Sequence, residues 1–229
     1  MRIRRDPVTV IGDETRNGHW PQAGKARGVG RSESQETCPG AHSRRRSSRE
    51  DPGDALASSI FVLGGARSGK SRFAVDSRRH AGRVTFLATA QAHDADMAAR
   101  IARHRAERPA HWRTLEEPCD LVSCLRACGV ETDAVIVDCL TLWVSNLMLR
   151  GDADEWIVKE AEDLAALLSQ CVADVTLVSN EVGEGVHPPT AAGRRFRDLL
   201  GMVNQRVAAA ADRVVLMVAG LPLTVKEPR

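Results

Sequence analysis

No run in this chain approaches the ~20 consecutive apolar residues a membrane-spanning helix needs, and its amino-terminal stretch lacks the continuous apolar segment of a secretory signal. The six cysteines include no CxxC pair. Cys119, Cys124 and Cys128 come nearest to a cluster, but zinc spacing is absent, so the expectation is small buried thiols in a reducing cytoplasm rather than a metal site. Excess charge is lacking too. A formal net charge of +2 over 229 residues gives no global field to draw nucleic acid, so no nucleic-acid partner is expected.

What is present divides at about residue 57. Residues 1–57 are rich in Arg, Gly, Ser, Glu and Pro, with almost no apolar periodicity, and "HSRRRSSRED" is a basic run feeding an acidic end. Such a segment cannot bury enough surface to offset its ordering entropy, so a disordered N-terminal extension is expected, with residues 58–229 forming the folded domain. From Ser58 onward strands and helices alternate: "SIFVLGG", "RVTFLATA", "AVIVD", "DVTLV" and "DRVVLMVAG" read as strands, the last of them final. The stretches from Ser71, from Asp94 to a stop at Pro109, after Asp138, from Asp154 and from Ala191 read as helices. Continuous apolar strands between helices predict an α/β fold with a mostly parallel sheet covered on both faces. Ligands on such sheets sit beyond the carboxyl ends of the strands, where "GGARSGKS", "ATA", "DCLT" and "SNEVGEG" fall.

Gly64, Gly65, Ala66, Arg67, Ser68, Gly69, Lys70 and Ser71 fit G-x-x-x-x-G-K-[ST], after a strand and before a helix, the context a P-loop requires. The glycines let backbone N–H groups turn inward on an anion, the helix presents its positive end, Lys70 can reach the outer phosphates, and the Ser71 hydroxyl can ligate Mg²⁺. The site therefore reads as a nucleoside triphosphate site. Asp138 ends a later strand, where it is either a second Mg²⁺ carboxylate or a cap for the following segment. A signalling GTPase is not expected, because "SNEVG" has an Asn and an acid with no lysine between them.

Along "MAARIARHRAERP", Arg100, His104 and Arg108 are spaced i, i+4, i+8 and would share one helix face, with Met97 and Ile101 turned to the core. Neighbouring cations disfavour an imidazolium, which would leave His104 neutral and able to attack phosphorus, with the arginines holding phosphate oxygens. The same pattern also describes a solvated basic face. His111, after Pro109, reads as structural.

Taken together, "GGARSGKS", "ATA", "MAARIARHRAERPAHWRTLEEP", "VDCLTLWVSNL", "SNEVGEGVHP" and "GRRFRDLLGMVNQRVAAAADRVVLMVAGLPL" resemble, in order and spacing, the bifunctional adenosylcobinamide kinase / adenosylcobinamide-phosphate guanylyltransferase family of cobalamin biosynthesis, over about residues 59–225. The resemblance implies a RecA-like P-loop fold and two reactions: phosphorylation of adenosylcobinamide by ATP or GTP, and transfer of GMP from GTP to the product through a guanylylated histidine. By motif position that histidine is His104. The resemblance also implies nucleotide contacts at Gly64–Ser71, Ala88, Thr89, Ala90, Arg105, Ala106, Glu107, Arg108, Glu116 and Asp138, a corrinoid substrate, and a homo-oligomer, with a trimer foremost. Two departures stand out: the extension has no counterpart in the family pattern, and His187 in "GVHPP" replaces an expected aliphatic residue and reads as a surface loop position. Two other readings are a P-loop kinase of another small alcohol without guanylyl transfer, and a nucleic-acid-associated P-loop ATPase using the basic extension.

Overall fold

The computed structural model describes residues 58–228 apart from 93, 129 and 130, so the expected extension, residues 1–57, lies outside the described residues. The chain builds β1 Ser59–Gly64, α1 Lys70–Ser77, β2 Val84–Ala88, α2 Ala95–Ala106, β3 Arg113–Glu116, α3 Leu121–Ala127, β4 Ala134–Asp138, α4 Leu140–Arg150, α5 Asp154–Leu168, β5 Asp174–Val178, α6 Ala191–Ala210, β6 Arg213–Val218 and β7 Leu221–Lys226.

The strands form one seven-stranded sheet in the order β3-β2-β4-β5-β1-β6-β7. All neighbours are parallel except β6 and β7, which are antiparallel. The expected mostly parallel α/β sheet is therefore present. Because its strands are buried on both sides, they need apolar side chains in both alternating sets. Phe61, Val135, Val137, Val175 and Leu177 turn to α3–α6, while Phe86, Ile136 and Val178 turn to α1 and Trp112.

Three elements go beyond the sequence reading: β3, α3 and β7, so β6 is not the last strand. β7 pairs with β6 through a turn at Ala219 and Gly220, both at positive φ (51° and 84°), the geometry of a tight hairpin. Its Pro222 is tolerable because this strand is a sheet edge.

The amino end of β5 is tied to α1 by a buried arginine. Arg78, 7% exposed, donates from Nε to Thr176 Oγ1 at 2.9 Å, pairs with Asp174, and donates to the Ser58 carbonyl at 3.2 Å. Burial lowers its pKa and Asp174 opposes that shift. Arg78→Leu strips these acceptors of a charged donor and is expected to cost about 2–3 kcal/mol, read as a lower urea midpoint at unchanged slope.

Candidate active site

β1 runs into the phosphate loop, and two glycines make the turn possible. At Gly64 (φ +148°) a Cβ would lie 2.5 Å from the Met217 carbonyl oxygen and 2.7 Å from Ser68 Oγ. Gly69 caps α1 at φ +96°, a left-handed conformation that costs other residues. Arg67 holds φ 56° at the loop's tip, the kind of backbone strain that clusters at ligand sites. The loop is braced from both flanks: Glu181 N–H donates to the Gly64 carbonyl (3.1 Å), and Gly220 N–H to the Ser68 carbonyl (3.0 Å).

Lys70 opens α1 and is 8% exposed; its Nζ lies 2.6 Å from the Gly65 carbonyl, along the inside of the loop. Ser68 Oγ is buried with no hydrogen-bond partner among the described residues. An orphaned hydroxyl in a tight loop, beside a buried ammonium and a helix amino end, fits a loop built to close on an anion.

Strand register sets the rest of the site. Ala88 pairs with both Glu116 and Asp138, so the carboxyl ends of β3, β2 and β4 are level. Asp138 pairs in turn with Val178 of β5, the strand next to β1. The loop and the Asp138 carboxylate thus share one sheet edge with a single strand between them. Thr89 is fully buried and commits its hydroxyl to Cys139, donating to the carbonyl (2.7 Å) and accepting from the N–H (2.9 Å). Asn146 of α4 donates to the Thr89 carbonyl (2.8 Å) and to that of Pro118 (3.0 Å). Thr89 therefore braces this edge through its hydroxyl, beside the half-buried Ala90.

The histidine helix differs from the expectation. α2 ends at Ala106 with Glu107 as its C-cap, because Pro109 disfavours helical backbone at residue 108. Arg108 therefore leaves the helix face it was expected to share with His104. It turns back over the Phe86 ring, its guanidinium carbon 3.4 Å from the centroid, a cation–π stack. Burial lowers its pKa, Asp138 and Glu116 raise it, and Arg105 lowers it further; Arg108 thus stands within the field of both carboxylates. The Arg100 side chain lies outside the described residues. None of the described side chains of α2 is buried: Met97 and Ile101 are half-buried and join no core cluster, contrary to their expected core role. His104 is half-buried on the last turn, with Arg105, Ala106 and Glu107 exposed around it. Little packing fixes this helix against the sheet.

His111 is exposed. His187 is an exposed loop residue whose Nδ1 lies 2.8 Å from the Arg197 guanidinium. Among the described thiols, Cys128 and Cys139 are poor nucleophiles: burial pushes both up to about 11.

Sequence reasoning missed Thr141, Asn146 and Asn204, polar side chains that fix the loops of this edge, and Asn180, whose backbone Thr141 and Asn204 hold. A signal existed for Asn146, the one amide in "LTLWVSNL", and for Asn204, which falls in line with Leu200, Val203 and Val207 in "LLGMVNQRV".

With this geometry in place, residues 60–225 match the family described as Cobinamide kinase / cobinamide phosphate guanyltransferase. The chain belongs to that family. It is 47% identical over 167 residues, 72% of this chain and 96% of the relative, to the Bifunctional adenosylcobalamin biosynthesis protein CobP of Pseudomonas aeruginosa. It is 43% identical over 179 residues, 73% of this chain and 99% of the relative, to the Bifunctional adenosylcobalamin biosynthesis protein CobU of Salmonella typhimurium. Among solved structures, a prototypical ATPase from the type III secretion system of pathogenic bacteria aligns with 74% of this chain and 57% of its own at 10% identity and a TM-score of 0.48, which says nothing of what this chain does. As a member of the cobinamide kinase / cobinamide phosphate guanyltransferase family the chain is a nucleotide-using enzyme with both transfer activities. No helix among the described residues is long and apolar enough to cross a membrane.

Proposed function

We propose that this enzyme phosphorylates adenosylcobinamide with ATP or GTP and then moves GMP from GTP onto that phosphate, with His104 as the covalent relay. What supports the reading is that the phosphate loop and Asp138 stand at the carboxyl ends of strands separated by one strand, with Arg108 in the field of Asp138, in a chain that matches the family over residues 60–225.

Ser71 and Asp138 suit Mg²⁺. Both offer hard oxygen donors, and no group of three His, Cys, Asp or Glu side chains among the described residues forms a metal cage, which fits an ion held mostly by phosphate and water. When bound, Mg²⁺ shares the negative charge of the phosphates.

In the kinase step, the loop N–H groups and Lys70 hold the β- and γ-phosphates while the aminopropanol hydroxyl attacks the γ-phosphorus. The diphosphate leaves, and the hydroxyl proton passes to solvent. Positioning and charge neutralisation do most of this work. In the transferase step, a ring nitrogen of His104 attacks the α-phosphorus of GTP, the bond to the β-bridging oxygen breaks, and pyrophosphate leaves. An oxygen of adenosylcobinamide phosphate then attacks the same phosphorus, the N–P bond breaks, and imidazole is regenerated. Splitting one transfer into two displacements is what a covalent nucleophile contributes. Arg108, by charge and position, is suited to hold phosphate oxygens at this edge. Homo-oligomeric assembly belongs to the same reading, supported by Leu221, Leu223 and Val225 of β7, each more than half exposed.

The test is incubation with α-labelled GTP. Both the full chain and a chain of residues 58–229 are expected to retain acid-labile GMP, since every nucleotide motif lies beyond residue 58. A full chain that forms the kinase product but never carries GMP would leave a kinase alone; loss of labelling only in the shorter chain would make the extension part of the enzyme.

A further inference from the structure

β5 is the strand between the phosphate loop strand and the Asp138 strand, so the segment that leaves its carboxyl end emerges between the loop and Asp138. Asn180 stands on that segment, two positions beyond Val178, which pairs with Asp138 on one side and Val62 on the other. Its peptide is held from both ends. The Thr141 hydroxyl of α4 accepts from Asn180 N–H at 2.8 Å, and Asn204 of α6 donates from Nδ2 to the Asn180 carbonyl at 3.1 Å. Thr141 and Asn204 are buried, at 8% and 6% exposure. The next N–H, of Glu181, goes to the Gly64 carbonyl of the phosphate loop. Two helices thus each commit a buried polar side chain to the backbone of one residue, one to its N–H and one to its carbonyl, and a third bond, from the next N–H, ties the segment to the phosphate loop. Burying polar groups is costly unless they bond well, and backbone bonds alone can end a strand.

The carboxamide of Asn180 has no hydrogen-bond partner among the described residues, although the backbone carrying it is fixed. Along β5, Thr176 and Val178 turn to the α1 side, Thr176 accepting from Arg78, which caps the end of α1. Continuing that alternation puts residue 180 on the side where α1 begins with Lys70 and Ser71.

We propose that Asn180 is a catalytic residue of the phosphoryl-transfer step, its carboxamide N–H donating to a γ-phosphoryl oxygen of the bound triphosphate. Thr141 and Asn204 are positioning residues that act through its backbone. A neutral donor aimed at an oxygen that gains charge in the transition state, on a scaffold that need not reorganise, acts chiefly on kcat. The contact exists for a triphosphate and is lost for a diphosphate. The proposal rests on the kinase reading for its reaction, but not for its binding readout.

The experiment compares affinities for GDP and β,γ-imido-GTP, and kcat and KM for phosphorylation of adenosylcobinamide, in the full-length wild type, Asn180→Ala, Thr141→Val and Thr141→Ser. Asn180→Ala is expected to bind GDP within about twofold of wild type, to lose about tenfold in β,γ-imido-GTP affinity, and to lose about 10²-fold in kcat with KM for the corrinoid little changed. Thr141→Val, which releases the Asn180 N–H, shows the same pattern to a smaller degree, and Thr141→Ser, which keeps the acceptor, restores most of it. A role confined to folding would instead lower the thermal midpoint and leave the ratio of the two affinities alone. Asn180→Ala protein that still prefers the triphosphate analogue as wild type does, with kcat within threefold, overturns the proposal. Should the wild type fail to phosphorylate adenosylcobinamide, the substrate reading falls, and the affinity ratio still decides Asn180.

Discussion

His104→Ala protein is expected to take up no label from α-labelled GTP and to lose guanylyl transfer by at least about a thousandfold, the scale on which removing a covalent nucleophile acts. Phosphorylation of adenosylcobinamide should persist within about tenfold, because γ-phosphoryl transfer needs positioning and charge neutralisation rather than a histidine. The substitution is structurally mild. His104 is half-buried on a helix with no described buried side chain, and alanine favours helix at that position, so a folding defect would not mimic the result. His111→Ala and His187→Ala serve as matched controls: both residues are exposed, and His187 is engaged with Arg197. Both proteins should still be labelled. Covalent GMP on the His104→Ala protein would take this residue out of the mechanism and turn attention to His111.

Lys70→Ala is expected to depress both reactions by about 10²–10³-fold in kcat/KM, since both draw on the triphosphate held by one loop and a positioned charge there acts on charge developing in each transition state. Its effect on stability should be small. The Gly65 carbonyl that Lys70 Nζ meets also accepts from Ser68 N–H at 3.3 Å, so the loop keeps a bond when the lysine goes. Parallel measurement of ADP formation and GMP labelling in this variant is the check. Labelling at the normal rate with phosphorylation lost would mean two nucleotide sites, and the one-edge reading would fail.

The parts of the site written in local sequence were legible without the fold. Gly64–Ser71 is a contiguous loop, and the apolar strand before it and the helix after it give it context. Asp138 closes an apolar run, so its place at a strand end could be read directly. Glu116 was another matter. β3 is four residues, "RTLE", exposed at both ends, with no apolar run to announce it, and only the family resemblance pointed to its carboxylate. α3 has a single exposed turn's worth of polar residues in seven positions, too short for a helical period to show. β7 carries Pro222 and shows most of its side chains to solvent, as an edge strand can but a central one cannot. Spacing alone puts Arg108 on the helix face, but the proline after it ends the helix first. The clamp on Asn180 is invisible in sequence for a different reason: its partners lie 39 and 24 residues away and meet only when α4 and α6 pack on the same face.

Among the described strands, the one that carries the phosphate loop is the first to leave the ribosome and waits longest for its neighbours. Its partners in β5 and β6 stand about 116 and 153 residues further along the chain, and the hairpin peptide that braces the loop comes later still, at Gly220. Contacts so distant in sequence form slowly, because their loop-closure entropy must be met before they stabilise anything. Through most of synthesis, then, the nascent chain holds a finished phosphate-binding sequence on an apolar strand with both edges bare, a segment prone to wrong pairing. The loop's brace at Ser68 exists only once the β6–β7 hairpin has docked, so a ligand that binds the braced loop stabilises chains in which that hairpin is in place.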